Sequence, residues 1–475
     1  MKQSGILMHI SSLSSEYGIG DLGPGARSFC EYLKDNGHSL WQILPLNQCG
    51  YGNSPYNPIS AFAFNPLLIS PDMLHEDGWL STEELETAKQ PHDNIVHYEA
   101  VLKTKGALLD LASERMLAEE DILPYIEANA WHLKPYLAFR MLSLIYGHSQ
   151  WYLWGFQDLN YSDELFDRLW QLHKPQIEKM AIQQKIFEDQ LSQLKVHLRN
   201  AGITLIGDVP LYLSYESAEV WAHQELFELD NQGRRLSVAG VPPDAFSESG
   251  QLWGNPIYRW GRMSQDGYEL FIRRFGHILK YIDLLRLDHF IGYVNYWLVP
   301  CPEAQLPDSA INGAWHRAEP ESFFDTLLKT FPSELFIAED LGILNADVCN
   351  IRDSYGFPGM IILQFCFEES VPDVFNFPAN RFIYTGTHDN RTSRGWWNSL
   401  PENSPSRLNL AVFCKRFLPH LGLPNEENIH HIINEIAGIS GCERCIIPMQ
   451  DILGLDDDAR MNIPGTALGN WQWRL

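Results

Sequence analysis

The chain has 475 residues, 45% of them hydrophobic, and a formal net charge of −25, enough apolar material for a large core and a surface that is strongly acidic. The acidity is spread along the chain with no basic run to neutralise a phosphate backbone, which argues against nucleic acid and against an anionic membrane surface. No stretch offers the roughly eighteen consecutive apolar residues of a membrane span, so the expected partner is neutral or cationic.

Short apolar, β-rich runs recur from the start of the chain. They fall at 5–10 (GILMHI), 40–46 (LWQILPL), 203–209 (ITLIGDV), 284–289 (LLRLDH), 335–340 (LFIAED), 360–365 (MIILQF), 382–388 (FIYTGTH) and 446–452 (IIPMQDI). The first of these follows a single lysine and is too short and polar for a secretory leader, so the expectation is a chain that starts directly on a strand. Helical spacing appears between several of them. Residues 182–198 repeat Ile182, Ile186, Leu191, Leu194 and Leu198 before Ala201-Gly202 stops the helix, and residues 270–282 repeat Leu270, Phe271, Phe275, Ile278, Leu279 and Ile282.

Near-continuous apolar strands are buried on both faces, and strands alternating with helices pair in parallel through right-handed crossovers. Eight such units, with no G-x-G-x-x-G turn after the first strand, predict an α/β fold of the (β/α)8 TIM-barrel type rather than an open dinucleotide-binding sheet. The gap between the second and third strands is too long for one helix, so residues 70–165 are expected to form a largely helical insertion over the barrel mouth. Residues 211–268, rich in Gly, Pro, Ser and aromatics, read as a long irregular excursion covering the same face.

Cysteine use adds little chemistry. Eight cysteines lie without framework spacing, as suits reduced thiols in a cytoplasm, and Cys442 and Cys445 form a C-x-x-C pair that lacks the second pair or the redox-fold context a functional motif needs. The 15 tryptophans are chiefly core material, although flat aromatic faces would also suit a carbohydrate cleft.

Active sites of such barrels lie at the C-terminal ends of the strands, and those ends are acidic here. They carry Asp208, Asp288, Glu339-Asp340 and His388-Asp389, with Asp451 near the close of the last strand. A lone Asp at a strand end is commonly a cap or turn residue, but several on one rim repel one another unless the site uses them. Arg286 lies two residues before Asp288 and shares its face, and a guanidinium there favours the ionised carboxylate that a nucleophile requires. Glu339, with a longer arm and acidic neighbours, suits the proton donor of two-carboxylate glycosidic chemistry, and Asp389 the stabiliser of an oxocarbenium-like transition state, with His388 beside it. A metal-dependent hydrolase would need several convergent imidazoles, where the first strand supplies only His9 and the histidines His289 and His388 each sit beside an acid. A non-catalytic glucan-binding protein would leave the Arg286, Asp288, Glu339 and Asp389 combination without a purpose.

RLDHF (286–290), AEDLG (338–342) and GTHDN (386–390) resemble the amylomaltases and disproportionating enzymes, the 4-alpha-glucanotransferases of the α-amylase superfamily. SSLSSEYGIGDLG, WQILPLNQCGYGNSPY (41–56), GDVPLYLSYESAEVWAH (207–223), AGVPPDAFSESGQLWGNPIYRW (239–260) and QDILGLDDDARMNIPGTALGNWQWR (450–474) resemble that family's stretches in the same order. The resemblance implies a retaining double displacement, with Asp288 as nucleophile, Glu339 as acid/base and Asp389 as stabiliser. A covalent glucosyl intermediate would pass α-1,4-glucan segments to the 4-OH of a glucose or maltooligosaccharide acceptor, an amylase-like hydrolysis being the alternative outcome. It also implies a donor site lined by Tyr56, Asp208, Gln251, Trp253, Arg286, His289, His388 and Asn462, no cofactor or metal, maltooligosaccharides or other α-1,4-glucans as partners, and no nucleic acid or membrane. Oligomeric state is left open. The chain departs from the family at Arg391-Thr392, where Asp-Thr is usual, at Ala245, where many members carry Tyr, at Ser14-Ser15, where a proline is common, and at Asp456, in place of a glycine. These departures bear on acceptor handling and glucan stacking, and none falls on the three catalytic carboxylates.

Overall fold

The computed structural model describes residues 2–243, 248–342, 344–466 and 468–475. Twelve strands form in chain order: β1 (Gln3–Leu7), β2 (Leu40–Gln42), β3 (Thr204–Val209), β4 (Ser237–Val241), β5 (Gln251–Pro256), β6 (Leu284–Leu287), β7 (Asn295–Pro300), β8 (Ala314–Arg317), β9 (Phe336–Ala338), β10 (Gly359–Ile362), β11 (Arg381–Tyr384) and β12 (Arg444–Pro448). Eight of them form one parallel sheet in the order β10-β11-β12-β1-β2-β3-β6-β9. The sheet curls into a barrel, and its seam is bridged where the Ala338 amide donates to the Pro358 carbonyl at 2.8 Å. The eight apolar runs of the sequence are these eight strands; seven end earlier than their runs because the last residues leave the ladder to form the rim, while β3 ends with its run at Val209.

Parallel strands buried on both faces need apolar residues on both. Ile6, Leu205, Ile206, Leu285, Leu287, Phe336, Ile337 and Ile446 are almost fully buried, and one continuous core joins them to the surrounding helices. A second apolar layer lies under β11 and β12 against the helices Pro405–Phe417 and Ile429–Ile439, and it holds both Cys442 and Cys445 as buried thiols. The helix read over 182–198 is longer than its periodic core. It runs Asp163–Ala201, capped by the Ser162 hydroxyl at its start and by left-handed Gly202 at its end, with non-helical backbone at His173 just ahead of Pro175.

Between β2 and β3, residues 70–165 carry the helices Pro71–Glu76, Thr82–Ala88, Tyr98–Glu119, Leu123–Ala128 and Ala130–Tyr146. The 211–268 excursion is not irregular throughout. It supplies β4 and β5, which join β7 and β8 in a separate four-stranded antiparallel sheet of order β5-β4-β7-β8. Half of this sheet comes from the connection after β3 and half from the connection after β6, so neither half shows its partner locally. Its β5 edge carries Gln251 and Trp253. Among the described residues no helix is long and apolar enough to cross a membrane.

Candidate active site

Register, rather than proximity in sequence, assembles the rim. β3 and β6 pair with Asp208 opposite Arg286, and the next parallel neighbour sets Arg286 opposite Ile337. Arg286 Nη1 donates to Asp208 Oδ2 at 2.7 Å and to Asp288 Oδ1 at 2.8 Å, one guanidinium nitrogen tying two carboxylates. The side chain of Asp208 is 0% exposed and that of Arg286 5%, while Asp288 is 25% exposed and Asp389 46%. Asp288 and Asp389 are therefore open to the cleft, and Asp208 with Arg286 forms the floor beneath them.

Glu339 follows β9 and is positioned by the backbone after β6. His289 takes a left-handed φ of 50°, a conformation that costs a non-glycine residue on the order of 1 kcal/mol. Its amide donates to Glu339 Oε2 at 2.7 Å, and the Leu341 amide donates to Oε1 at 3.3 Å. The carboxyl of Glu339 is thus held by the residue directly after Asp288. Burial pushes the Glu339 carboxyl well above the usual glutamate range; Arg286 opposes the shift and the Asp288 charge reinforces it.

On the other side of the cleft, Asn462 Nδ2 donates to Asp389 Oδ1 at 2.6 Å, and the Asn462 amide donates to the His388 carbonyl at 3.1 Å. His388 Nε2 lies 3.4 Å from Asp389 Oδ2, and its ring stacks on Tyr56 with centroids 4.8 Å apart. The Tyr56 hydroxyl donates to Asp208 Oδ2 at 2.9 Å. Burial drives the His289 imidazole down to about 4 and also lowers His388, so both rings are neutral hydrogen-bonding groups at ordinary pH. Trp253 meets the His289 ring edge-on at 4.8 Å, and its indole N–H donates to Gln251 Oε1 at 3.2 Å.

These groups open onto a cleft of about 610 Å³ that Tyr56, Gln251, Trp253, Asp288, His289, His388, Asp389 and Asn462 all line. Every residue expected in the donor site is therefore in the cleft wall or, for Asp208 and Arg286, in the floor. Sequence reasoning missed Tyr51, Tyr212 and Trp471, which line the same cleft, although all three stand inside the quoted motifs GYGNSPY, GDVPLY and GNWQWR. It also missed Arg460, whose guanidinium donates to the Asp389 carbonyl.

Two rim acids do other work. Asp340 points away from the cleft and is paired with Arg352 and Arg381, and its Oδ1 accepts from the Met360 amide at 2.7 Å. Gly359 leaves room for that cluster, since a Cβ there would stand 1.8 Å from Arg381 Nη1. Asp451 is buried, accepting from the Thr385 hydroxyl and the Ser393 amide, both at 2.6 Å. Adjacent residues at a strand end face opposite ways, so Glu339 in the site requires Asp340 outside it. Of the departures, Arg391 is ion-paired with Asp457, Asp456 accepts from Asn398 and the Asp457 amide, and Ala245 lies outside the described residues.

A (β/α)8 barrel whose C-terminal rim gathers acids, neutral imidazoles and aromatic rings around an open cleft defines a carbohydrate-active barrel enzyme. Within that class, residues 8–475 match the family model described as 4-alpha-glucanotransferase, and the chain belongs to that family. It is 39% identical to a 4-alpha-glucanotransferase of Aquifex aeolicus over 480 residues, covering 100% of this chain and 96% of the relative. It is 38% identical to the chloroplastic/amyloplastic 4-alpha-glucanotransferase of Solanum tuberosum, covering 100% of this chain and 82% of that one. The amylomaltase from Streptococcus agalactiae in complex with acarbose superposes with a TM-score of 0.93 at 32% identity, covering 100% of this chain and 95% of that chain. The protein is a glucan-transferring enzyme with the barrel fold of the amylomaltases.

Proposed function

We propose that Asp288 attacks the anomeric carbon of an α-1,4-linked glucan while Glu339 donates its proton to the glycosidic oxygen, releasing the reducing-end fragment and leaving a glucosyl–Asp288 ester. In the second half Glu339 takes the proton of an acceptor 4-OH, that oxygen attacks the anomeric carbon, and Asp288 leaves as carboxylate. Asp389 stabilises the positive charge that develops on the sugar ring in the transition state of each step. The observation that carries this reading is the His289 amide, which holds the Glu339 carboxyl next to Asp288 in a buried setting that favours the protonated acid. Arg286 contributes by keeping negative charge paired at Asp208 and Asp288, which suits a carboxylate that must stay available for attack.

Tyr56, Gln251, Trp253, His289, His388 and Asn462 bind the donor by stacking and by hydrogen bonds to sugar hydroxyls, over the floor that Asp208 and Arg286 provide. Maltooligosaccharides are the donors and acceptors this cleft suits, a reading supported by the solved relative in complex with acarbose. Transfer outruns hydrolysis where water is excluded and an acceptor is bound close by. The small sheet edge with Trp253 and the 70–165 helices serve that purpose as covers of the mouth. Eight free cysteines support placement in the cytoplasm.

Incubation with maltotriose tests the reading. Glucose together with longer and shorter oligomers is the expected result. New reducing ends matching the number of bonds lost would mark a hydrolase and overturn it.

A further inference from the structure

Away from the cleft, helix Pro24–Asp35 packs against the last turns of helix Asp163–Ala201 on the outside of the barrel. Both helices run back toward the starts of β2 and β3, so their later residues lie toward the face opposite the catalytic rim. There, Cys30 Sγ, a Glu31 carboxylate oxygen and a His197 ring nitrogen all lie within 4.8 Å of one another. Glu31 Oε1 is 3.3 Å from His197 Nε2, yet that buried nitrogen makes no hydrogen bond. That nitrogen therefore lacks a partner, which a cation held between it and the Glu31 carboxylate would supply. Two ligands of a tetrahedral zinc, each about 2.0–2.1 Å from the metal, stand about 3.3–3.4 Å apart. The buried Cys30 thiol, within 4.8 Å of both atoms, supplies the sulfur corner.

We propose that Cys30, Glu31 and His197 bind a divalent cation of the zinc class, with solvent in the fourth position, and that the ion staples the two helices together. A thiolate, an imidazole and a carboxylate select borderline-soft cations over magnesium or calcium, which prefer all-oxygen shells. On binding, the Cys30 S–H bond breaks, a sulfur–metal bond forms, and the proton leaves to solvent. Because the ligand is the thiolate, the metal has to displace that proton and its affinity rises with pH. The staple ties the elements that enter β2 and β3, and it touches no group of the catalytic rim.

The full-length protein, stripped with a chelator, is titrated with zinc chloride and then with cobalt(II), beside Cys30→Ser, His197→Ala and Glu31→Gln. The wild type is expected to take up one zinc more than C30S or H197A, and E31Q to bind that zinc about tenfold or more weakly. The cobalt complex of the wild type should show a thiolate-to-metal charge-transfer band that C30S lacks. Zinc should raise the melting temperature of the wild type and not of H197A, while maltotriose turnover stays the same in every variant. Equal zinc stoichiometry in wild type and H197A, or a wild-type cobalt spectrum without the thiolate band, overturns the proposal. Should the buried C30S change impair folding, H197A and E31Q, at positions that solvent reaches, decide it alone.

Discussion

One backbone amide ties together the two carboxyl groups proposed to carry the chemistry. His289 follows Asp288 directly and spends its N–H on Glu339, so the conformation of a single residue sets how the two carboxyl groups meet. Asp288→Asn and Glu339→Gln are each expected to lower maltotriose disproportionation by at least about three orders of magnitude with unchanged thermal melting. Near-normal turnover in either would remove that residue from its role. Because burial and the Asp288 charge raise the Glu339 carboxyl, the acid is protonated at ordinary pH, and activity should decline as pH rises through that raised value. Asp288→Asn removes the like charge, so difference infrared spectroscopy should then find Glu339 ionising at lower pH. Arg286→Met strands two carboxylates over a buried floor and is expected to cost about 3–5 kcal/mol in urea unfolding, a loss that Arg286→Lys restores only in part. Residue types at strand ends announced the candidates for these roles. They favoured Glu339 for its longer arm but left the directions of Asp340 and Asp451 open, because a side chain's direction at the rim depends on where its strand leaves the ladder.

The small antiparallel sheet is the element that turns an open rim into a cleft. β5 holds Trp253 against His289, and Arg235 fixes the strand by donating to the Gly254 carbonyl at 2.9 Å while its guanidinium lies 4.2 Å from the Tyr215 ring centroid. Trp253→Ala should open the cleft to water, so the ratio of reducing ends formed to sugar transferred is expected to rise; an unchanged ratio would remove the shielding role from this edge. This sheet was not legible in the sequence. Its strands are as long as those of the barrel, but β4 and β5 fall in a stretch rich in Gly, Pro and Ser that reads as loop, and β4 pairs with β7, which lies far along the chain.

At the scale of the whole molecule, the helical 70–165 segment is joined to the helices around the barrel through buried imidazoles, His132 meeting His277 with ring centroids 4.9 Å apart. Burial drives His277 down to about 3 and His132 to about 4, with Lys280 lowering both further, His132 acting on His277 and Arg273 on His132. Glu188 is the acid facing His277, at 4.0 Å. A base whose folded value is depressed binds fewer protons folded than unfolded, so this stability is present above about 6.5 and is lost as pH falls toward 4 and then 3, at about 1.4 kcal/mol per unit of displacement. Urea midpoints should therefore fall steeply over that window, and His277→Phe, which stacks in the same site between Phe62 and Phe64, should flatten the fall.

The sequence by itself determined the barrel, its eight strands and the candidate acids at their ends, because burial on both faces imposes continuous apolar runs and each run closes near the residues that form the rim. Only the tertiary structure decided which acids share the cleft, that Arg286 bridges Asp208 and Asp288, and that two loop segments distant in sequence form one sheet above them. Those outcomes follow from register between strands and from contacts across the mouth, and neither leaves a periodic mark on the local sequence.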